Sequence, residues 1–216
     1  CTRCNPMPNL LKSAFSLDFR QNTGILYRRL AEWADRFKML PDNQFGFRRG
    51  LSPIKATNTL IGDIKRRLCE KRSYYIAFVD FEKAFDKLDR QHLFKKLRRS
   101  GLSKHFLSVL KAIYSKNEIR VCNGTNLGDP IEQKIGAPQG DKLSPLLFAL
   151  FIADLARILE ATGCSIIFYA DDLAIGSDSI EGIQKAFGAL EKYCEEDGLL
   201  VNIGKTKVVK FRNGGR

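Results

Sequence analysis

Long hydrophobic runs are missing from this sequence, and histidine and paired cysteines are scarce. No apolar stretch reaches the roughly 18–20 residues that cross a bilayer, and the first residues lack the order of a secretory signal peptide. We therefore expect no membrane segment and an intracellular, nuclear or cytoplasmic protein that is not secreted. Of six cysteines and two histidines, only Cys1 and Cys4 have metal-ligand spacing. One pair cannot complete a tetrahedral zinc site, so reduced thiols are expected.

Acidic residues are in the minority. The 216 residues include 36 Lys and Arg against 24 Asp and Glu, which gives a formal charge of +12. Basic residues recur along the whole chain, and a polyanionic partner is the natural inference. Repeats, low-complexity tracts and Gly/Ser linkers are also lacking, so the sequence marks no sharp domain boundary. An apolar content of 44% is typical of a globular protein with a real core.

Hydrophobic periodicity predicts alternating strands and helices. Helices are expected over residues 25–38, 91–99, 104–114, 145–159 and 180–195, and strands over 74–79, 165–169, 173–175, 199–201 and 207–211. A hairpin with an extended loop is expected from 118 to 135, around Asn123-Gly124. The succession βα, ββ, α, β is typical of a split βαβ sheet.

Three carboxylates stand out because of where they lie. Asp80 ends an apolar strand, and Asp171 and Asp172 form the tip of an apolar hairpin. Adjacent aspartates between buried strands concentrate negative charge where repulsion and desolvation oppose it, unless a cation binds. The alternative is an ordinary turn, since Asp is a common turn residue.

The surrounding motifs, taken together, favour the cation site. The segment FVDFEKAFD (78–86) resembles the first palm motif of reverse transcriptases, GAPQGDKLSPLLF (136–148) the second, and FYADDLAI (168–175) the third. The segments GLLVNIGKTK (198–207) and LPDNQFGFRRG (40–50) resemble the next motif and the stretch before the palm in non-LTR, LINE-like retrotransposon enzymes. Five motifs in order make chance agreement improbable.

The resemblance implies roles for individual residues. It makes Asp80, Asp171 and Asp172 the catalytic ligands of two Mg²⁺ ions, for which Mn²⁺ is a possible substitute, and Glu82 and Asp86 are left outside this set. A main-chain oxygen of Val79 or Phe81 would join the metal site. The implied nucleotide-binding residues are Phe81, Phe85, Gln139, Gly140 and Lys205, and the implied template-binding residues are Arg48 and Arg49.

Each of these side chains also has an ordinary structural interpretation. Phe85 would exclude ribonucleotides by clashing with the 2′-hydroxyl, or it is simply packed in the core. Gln139 and Gly140 would lie beside the nucleotide, where glycine permits close backbone approach, or form a plain turn. Lys205, Arg48 and Arg49 would contact phosphates, or they are solvated.

The resemblance also implies an architecture and a function. The expected fold is α+β, a right-hand fingers and palm with a ferredoxin-like sheet. Residues 1–73 would form partial fingers with basic helices and 74–216 the palm, as one continuous unit, and the thumb is expected to be absent.

The implied activity is RNA-directed DNA synthesis, which joins deoxynucleotides to a primer 3′-hydroxyl on an RNA template. The alternative is an inactive nucleic-acid-binding remnant of a retroelement polymerase. An RNA-synthesising palm enzyme is disfavoured by Phe85, because such an enzyme must admit the 2′-hydroxyl.

Overall fold

Four antiparallel strands form the sheet on which the carboxylates lie. The computed structural model describes residues 17–115, 118–123, 126–133, 135–138, 140 and 142–212. The helices are α1 (Leu17–Arg36), α2 (Pro53–Cys69), α3 (Arg90–Arg99), α4 (Lys104–Ser115), α5 (Leu143–Phe151), α6 (Ala153–Glu160) and α7 (Ile180–Asp197). The strands are β1 (Tyr74–Val79), β2 (Glu118–Ile119), β3 (Cys122–Asn123), β4 (Asn126–Leu127), β5 (Ile131–Glu132), β6 (Ser165–Tyr169), β7 (Asp172–Ser177) and β8 (Lys207–Phe211).

The strand order of the main sheet is β6-β7-β1-β8. Strand β1 lies between β7 and β8 and is antiparallel to both. Helices α5, α6 and α7 share one large buried core with α1, α3 and α4 and with Ile166 and Phe168 of β6. On the other face, Ala56, Leu60 and Ile64 of α2 pack against Tyr74, Ile76 and Ile167. The expected α+β fold with a split βαβ sheet is therefore confirmed.

The predicted helix over residues 145–159 is wrong as a single element. It begins earlier, at Leu143, and it breaks at Ile152 between α5 and α6. The carbonyl of Phe151, which a continuous helix would use internally, accepts hydrogen bonds from Lys96 Nζ (3.0 Å) and Tyr193 Oη (3.1 Å). The amide of Leu155 bonds to Ile152 O instead. Distant side chains thus end the first helix.

Other boundaries differ less. Helix α1 begins before residue 25 and ends at Arg36, so Phe37, which falls within the expected helix over 25–38, lies beyond its end and is 54% exposed. The expected strand over 199–201 is reduced to one bridge between Val201 and Phe81. Helix α2 was missed, although Ser52 and Pro53 supply a typical N-cap and first position.

The hairpin between residues 118 and 135 has two short antiparallel pairs, β2 with β5 and β3 with β4. Its expected turn residue Gly124 lies outside the described residues, as do Cys1 and Cys4. Within the described ranges, no helix is long and apolar enough to cross a bilayer.

Candidate active site

The three aspartates meet at one end of the sheet. Strand β1 ends at Val79, which pairs with Leu173, and Tyr169 pairs with Asp172 across the β6–β7 hairpin. Asp80 and Asp172 are the next residues beyond the Val79–Leu173 pair, so they lie at the same end of two neighbouring antiparallel strands. Asp171 lies in the turn between β6 and β7. The register of the sheet therefore brings together residues that are about ninety positions apart in sequence.

Electrostatic crowding is evident at this end of the sheet. The pKa of Asp172 is raised above its ordinary value, first because protein atoms displace water from its carboxylate and then because Asp171 and Asp80 are negative. Lys205 offsets part of this charge, with Nζ 3.6 Å from Asp80 Oδ2. The Lys205 side chain is 72% exposed, so the pair is well screened by water. The site thus retains an excess of negative charge.

A short segment after α7 places Lys205. Main-chain hydrogen bonds of 2.7 Å join Glu82 N to Leu200 O and Asn202 N to Asp80 O. Asn202 then accepts from Lys205 N through its side chain (3.3 Å) and its carbonyl (3.2 Å). These bonds hold the motif that contains Lys205 directly beside the loop that contains Asp80.

Two clefts open on either side of Asp80 and Lys205. The first has a volume of about 500 Å³ and includes Asp171; its lining residues are Asp80, Phe81, Glu82, Lys83, Ala84, Phe85, Asp86, Asp171, Asn202 and Lys205. The second, of about 410 Å³, includes Asp172 and lies between α2 and the sheet. The two adjacent aspartates therefore face different spaces.

Phe81 and Phe85 differ in what they can offer the first cleft. Phe81 is buried, at 4% exposure, so a ligand can reach its main chain but hardly its ring. Phe85 is half-buried, and its ring packs on Phe148 with centroids 4.8 Å apart. Phe85 therefore packs on the core and also lines the cleft, and its role in excluding ribonucleotides stays a prediction.

Glu82 and Asp86 line the same cleft as Asp80. Glu82 is exposed and forms an ion pair with Lys87 at 3.3 Å. Their exclusion from the metal site stays a prediction.

The glycine-containing loop of the second motif begins against the first motif. Gly136 N donates to Leu88 O (2.8 Å), and Ala137 N donates to Phe85 O (2.7 Å). A Cβ at Gly136 would lie 2.5 Å from Asp86 O, so the close approach requires glycine. Gly140 is exposed with φ +96°, whereas Gln139 lies outside the described residues.

Arg90, which the sequence analysis did not single out, holds that loop in place through hydrogen bonds to main-chain carbonyls. The guanidinium is buried and donates to main-chain carbonyls of Gly136 (2.7 Å), Gln133 (2.6 Å), Tyr114 (2.9 Å) and Ile135 (3.3 Å). Burial lowers its pKa. The sequence offered no signal, because this arginine stands in a run of basic helical residues.

The two arginines of the 40–50 motif have different surroundings. Arg48 donates to Pro41 O at 2.7 Å and lies 3.6 Å from Asp42, so it is tied to its own loop. Arg49 is exposed. Two other residues of this motif, Gln44 and Gly46, contact the turn before Asp171, although the motif suggested roles only for the arginines.

The donor set suits a hard divalent cation, because carboxylate oxygens are the ligands that Mg²⁺ prefers. Among the residues that the structure describes, however, no three His, Cys, Asp or Glu side chains already form a group that could hold a metal ion.

Residues 11–213 match the family model described as reverse transcriptase (RNA-dependent DNA polymerase). This chain belongs to the reverse transcriptase family. It is 28% identical over 193 residues to a probable RNA-directed DNA polymerase from transposon BS of Drosophila melanogaster, covering 84% of this chain and 21% of that protein. It is 29% identical over 203 residues to a retrovirus-related Pol polyprotein from a type-1 retrotransposable element R2 of Nasonia vitripennis, covering 85% and 20%.

The reverse transcriptase chain thus spans about a fifth of the length of these retrotransposon relatives. Among solved structures, it resembles telomerase from Candida albicans with a TM-score of 0.66 and 16% identity, over 87% of this chain and 35% of that one. Telomerase from Candida tropicalis gives a TM-score of 0.61 at 15% identity, over 91% and 34%. At such identities the structural likeness concerns the fold alone, and it agrees with the fingers and palm expected from the motifs.

Proposed function

We propose that this chain carries the nucleotidyl-transfer site of an RNA-directed DNA polymerase, which adds deoxynucleotides to a primer 3′-hydroxyl on an RNA template. The observation that supports it most is the meeting of Asp80, Asp171 and Asp172 at one sheet end, beside open clefts. Two Mg²⁺ ions bound there, or Mn²⁺ in their place, would activate the primer hydroxyl and stabilise the leaving pyrophosphate.

The residues around the carboxylates suit the parts of such a substrate. Lys205 is exposed and close to Asp80, where its ammonium would neutralise phosphate charge on the nucleotide. The backbone at Phe81 and Gly140, with Gln139, would line the nucleotide. The net charge of +12 favours a polyanionic duplex. Arg49 is free to reach template phosphate, whereas Arg48 would first have to leave the Pro41 carbonyl.

We also propose that residues 1–73 and 74–216 act as partial fingers and palm within one unit. Leu26 and Leu30 of α1 lie in the same buried cluster as Leu147 of α5. Helix α2 lies against β1 and β6. Removing the first part would therefore expose core surface of the second.

Primer extension tests the proposed activity. The chain is supplied with an RNA template, a DNA primer, deoxynucleotides and Mg²⁺, beside Asp171→Ala and the matched control Asp178→Asn. Asp178 follows the opposite end of β7 and pairs with Arg67 and Arg72 at the surface. Extension that Asp171→Ala abolishes and Asp178→Asn retains supports the proposal. Duplex binding without extension by any of the three rejects it and favours the inactive nucleic-acid-binding remnant.

Phe85→Ala tests sugar discrimination in the same assay. We expect incorporation of ribonucleotides to rise relative to deoxynucleotides, because removing the ring opens space in the first cleft. Val109→Ala is the control, since Val109 is a half-buried core residue outside both clefts. Unchanged sugar preference in Phe85→Ala would mean that the ring serves only to pack on Phe148.

A further inference from the structure

Gln44 is a polar side chain buried at the active-site end of the sheet. It is 1% exposed, and its amide contacts the main chain of a residue 126 positions later. Nε2 donates to Ala170 O (3.2 Å), while Oε1 accepts from Ala170 N (3.1 Å) and from Gly46 N (2.8 Å). One side chain therefore satisfies both main-chain polar groups of Ala170.

Ala170 directly precedes Asp171, and its backbone is in the left-handed region at φ +61°. This conformation is unfavourable for an L-residue with a Cβ, and it persists where the surroundings hold it. The turn before the two aspartates is thus strained at Ala170, and the side-chain amide of Gln44 stabilises it through hydrogen bonds.

The residues on either side of Gln44 also contact β6 and the turn that follows it. Phe45 N donates to Phe168 O and Phe168 N donates to Asn43 O, both at 2.8 Å, so this segment adds to the free edge of β6. A Cβ on Gly46 would lie 2.3 Å from Ala170 N. The segment is therefore pressed against the turn, and Gln44 is held in position to meet it.

We propose that Gln44 is a positioning residue for the active site, which orients Asp171 and Asp172 toward metal by holding Ala170 in its left-handed conformation. The role rests on the proposed polymerase function, but Gln44 itself touches no substrate. An amide is needed because it offers a donor and an acceptor from one planar group. Methionine offers neither strongly, and an ionised glutamate has no donor.

Three measurements on the 216-residue chain test this role in Gln44→Met and Gln44→Glu: hydrogen exchange of the Ala170 amide, Mn²⁺ affinity, and steady-state primer extension. The control is Asn43→Ala, because the Asn43 side chain donates to Glu160 (2.8 Å) and not to the turn. In Gln44→Met we expect exchange at Ala170 to accelerate by at least about tenfold, the order expected from one lost buried hydrogen bond. Gln44→Glu keeps an acceptor for that amide and loses the donor to Ala170 O, so in this variant the positioning role is decided by Mn²⁺ affinity and kcat. We also expect Mn²⁺ affinity and kcat to fall by about the same factor, with KM for the primer–template unchanged.

Different failures can be told apart. If the Gln44 variants lose thermal stability but match Asn43→Ala in Ala170 exchange, Mn²⁺ affinity and kcat per folded molecule, then Gln44 is only a core residue and the proposal is overturned. If the unaltered chain extends no primer, the polymerase proposal fails, while exchange and Mn²⁺ binding still decide the positioning role. Should Gln44→Met not fold, Gln44→Glu decides alone through its Mn²⁺ affinity, because it keeps the size of the side chain and loses the donor to Ala170 O; an affinity equal to that of Asn43→Ala refutes the positioning role.

Discussion

Arg90 offers the sharpest test of how the nucleotide loop is held, through the variant Arg90→Met. The side chain is 7% exposed and its hydrogen-bond acceptors are main-chain carbonyls. Methionine fills much of the same volume and donates no hydrogen bond. The substitution therefore removes the donors without leaving a large cavity.

The expected loss of stability in Arg90→Met comes from the four main-chain carbonyls that lose the guanidinium as a hydrogen-bond donor. A buried polar group left unpaired costs about 1–3 kcal/mol. Carbonyls of the loop near Gln133 and Ile135 are close to the surface and regain water, and the variant no longer desolvates a guanidinium. We therefore expect the free energy of unfolding to fall by about 3 kcal/mol, less than the simple sum.

Urea unfolding measures this loss, with Arg98→Met as the control because Arg98 is exposed on the same helix. The control should stay within about 0.5 kcal/mol of the unaltered chain. In primer extension, Arg90→Met should also raise KM for the deoxynucleotide, since Gly136 begins the loop that would contact it. A loss below about 1 kcal/mol would refute the reasoning, because the carbonyls would then be equally well satisfied without the guanidinium.

Three further changes have directions set by the structure. Asp172→Asn should stabilise the metal-free chain at neutral pH, because burial and the negative charges of Asp171 and Asp80 raise the pKa of Asp172, so that its ionisation opposes folding. In thermal unfolding the gain should vanish at acid pH, where the carboxyl is protonated, and a gain that grows with acidity contradicts this. Gly46→Ala should cost about 1–3 kcal/mol in urea unfolding, because its Cβ would meet Ala170 N, and full stability would show that the segment can withdraw. Lys96→Met should lower the free energy of urea unfolding by up to about 3–5 kcal/mol, because it removes the ammonium that pairs with the buried Asp197 and leaves His92 Nε2, 2.9 Å away, to offset the carboxylate. A neutral result would show that His92 compensates for the lost charge.

Local patterns in the sequence were sufficient for most of the sheet. The bounds of β1 and β6 match those predicted from apolar and aromatic runs, because a strand buried on both faces differs from its flanks in composition alone. The position of Asp80, Asp171 and Asp172 at strand ends follows from the same runs, since each stands where the apolar pattern stops.

Long-range contacts account for what the sequence did not show. The break at Ile152 depends on Lys96 and Tyr193, which lie on other helices and take the Phe151 carbonyl. Nothing in residues 143–160 records that competition, since every residue there is compatible with one helix. Hydrophobic periodicity indicates which face of a helix is buried, but it does not indicate which main-chain carbonyl will accept a hydrogen bond from a distant side chain.

The same reasoning explains why the sequence pointed to the three aspartates and not to Gln44. A carboxylate at a strand end is conspicuous because its burial would be costly, so the sequence already indicates that a cation compensates its charge. A glutamine in a loop gives no such signal, because its hydrogen bond with the backbone of Ala170 exists only in the folded chain. The chemistry of this site is therefore visible in sequence as charge, whereas its geometry depends on neutral groups whose partners are decided only by the register of the sheet.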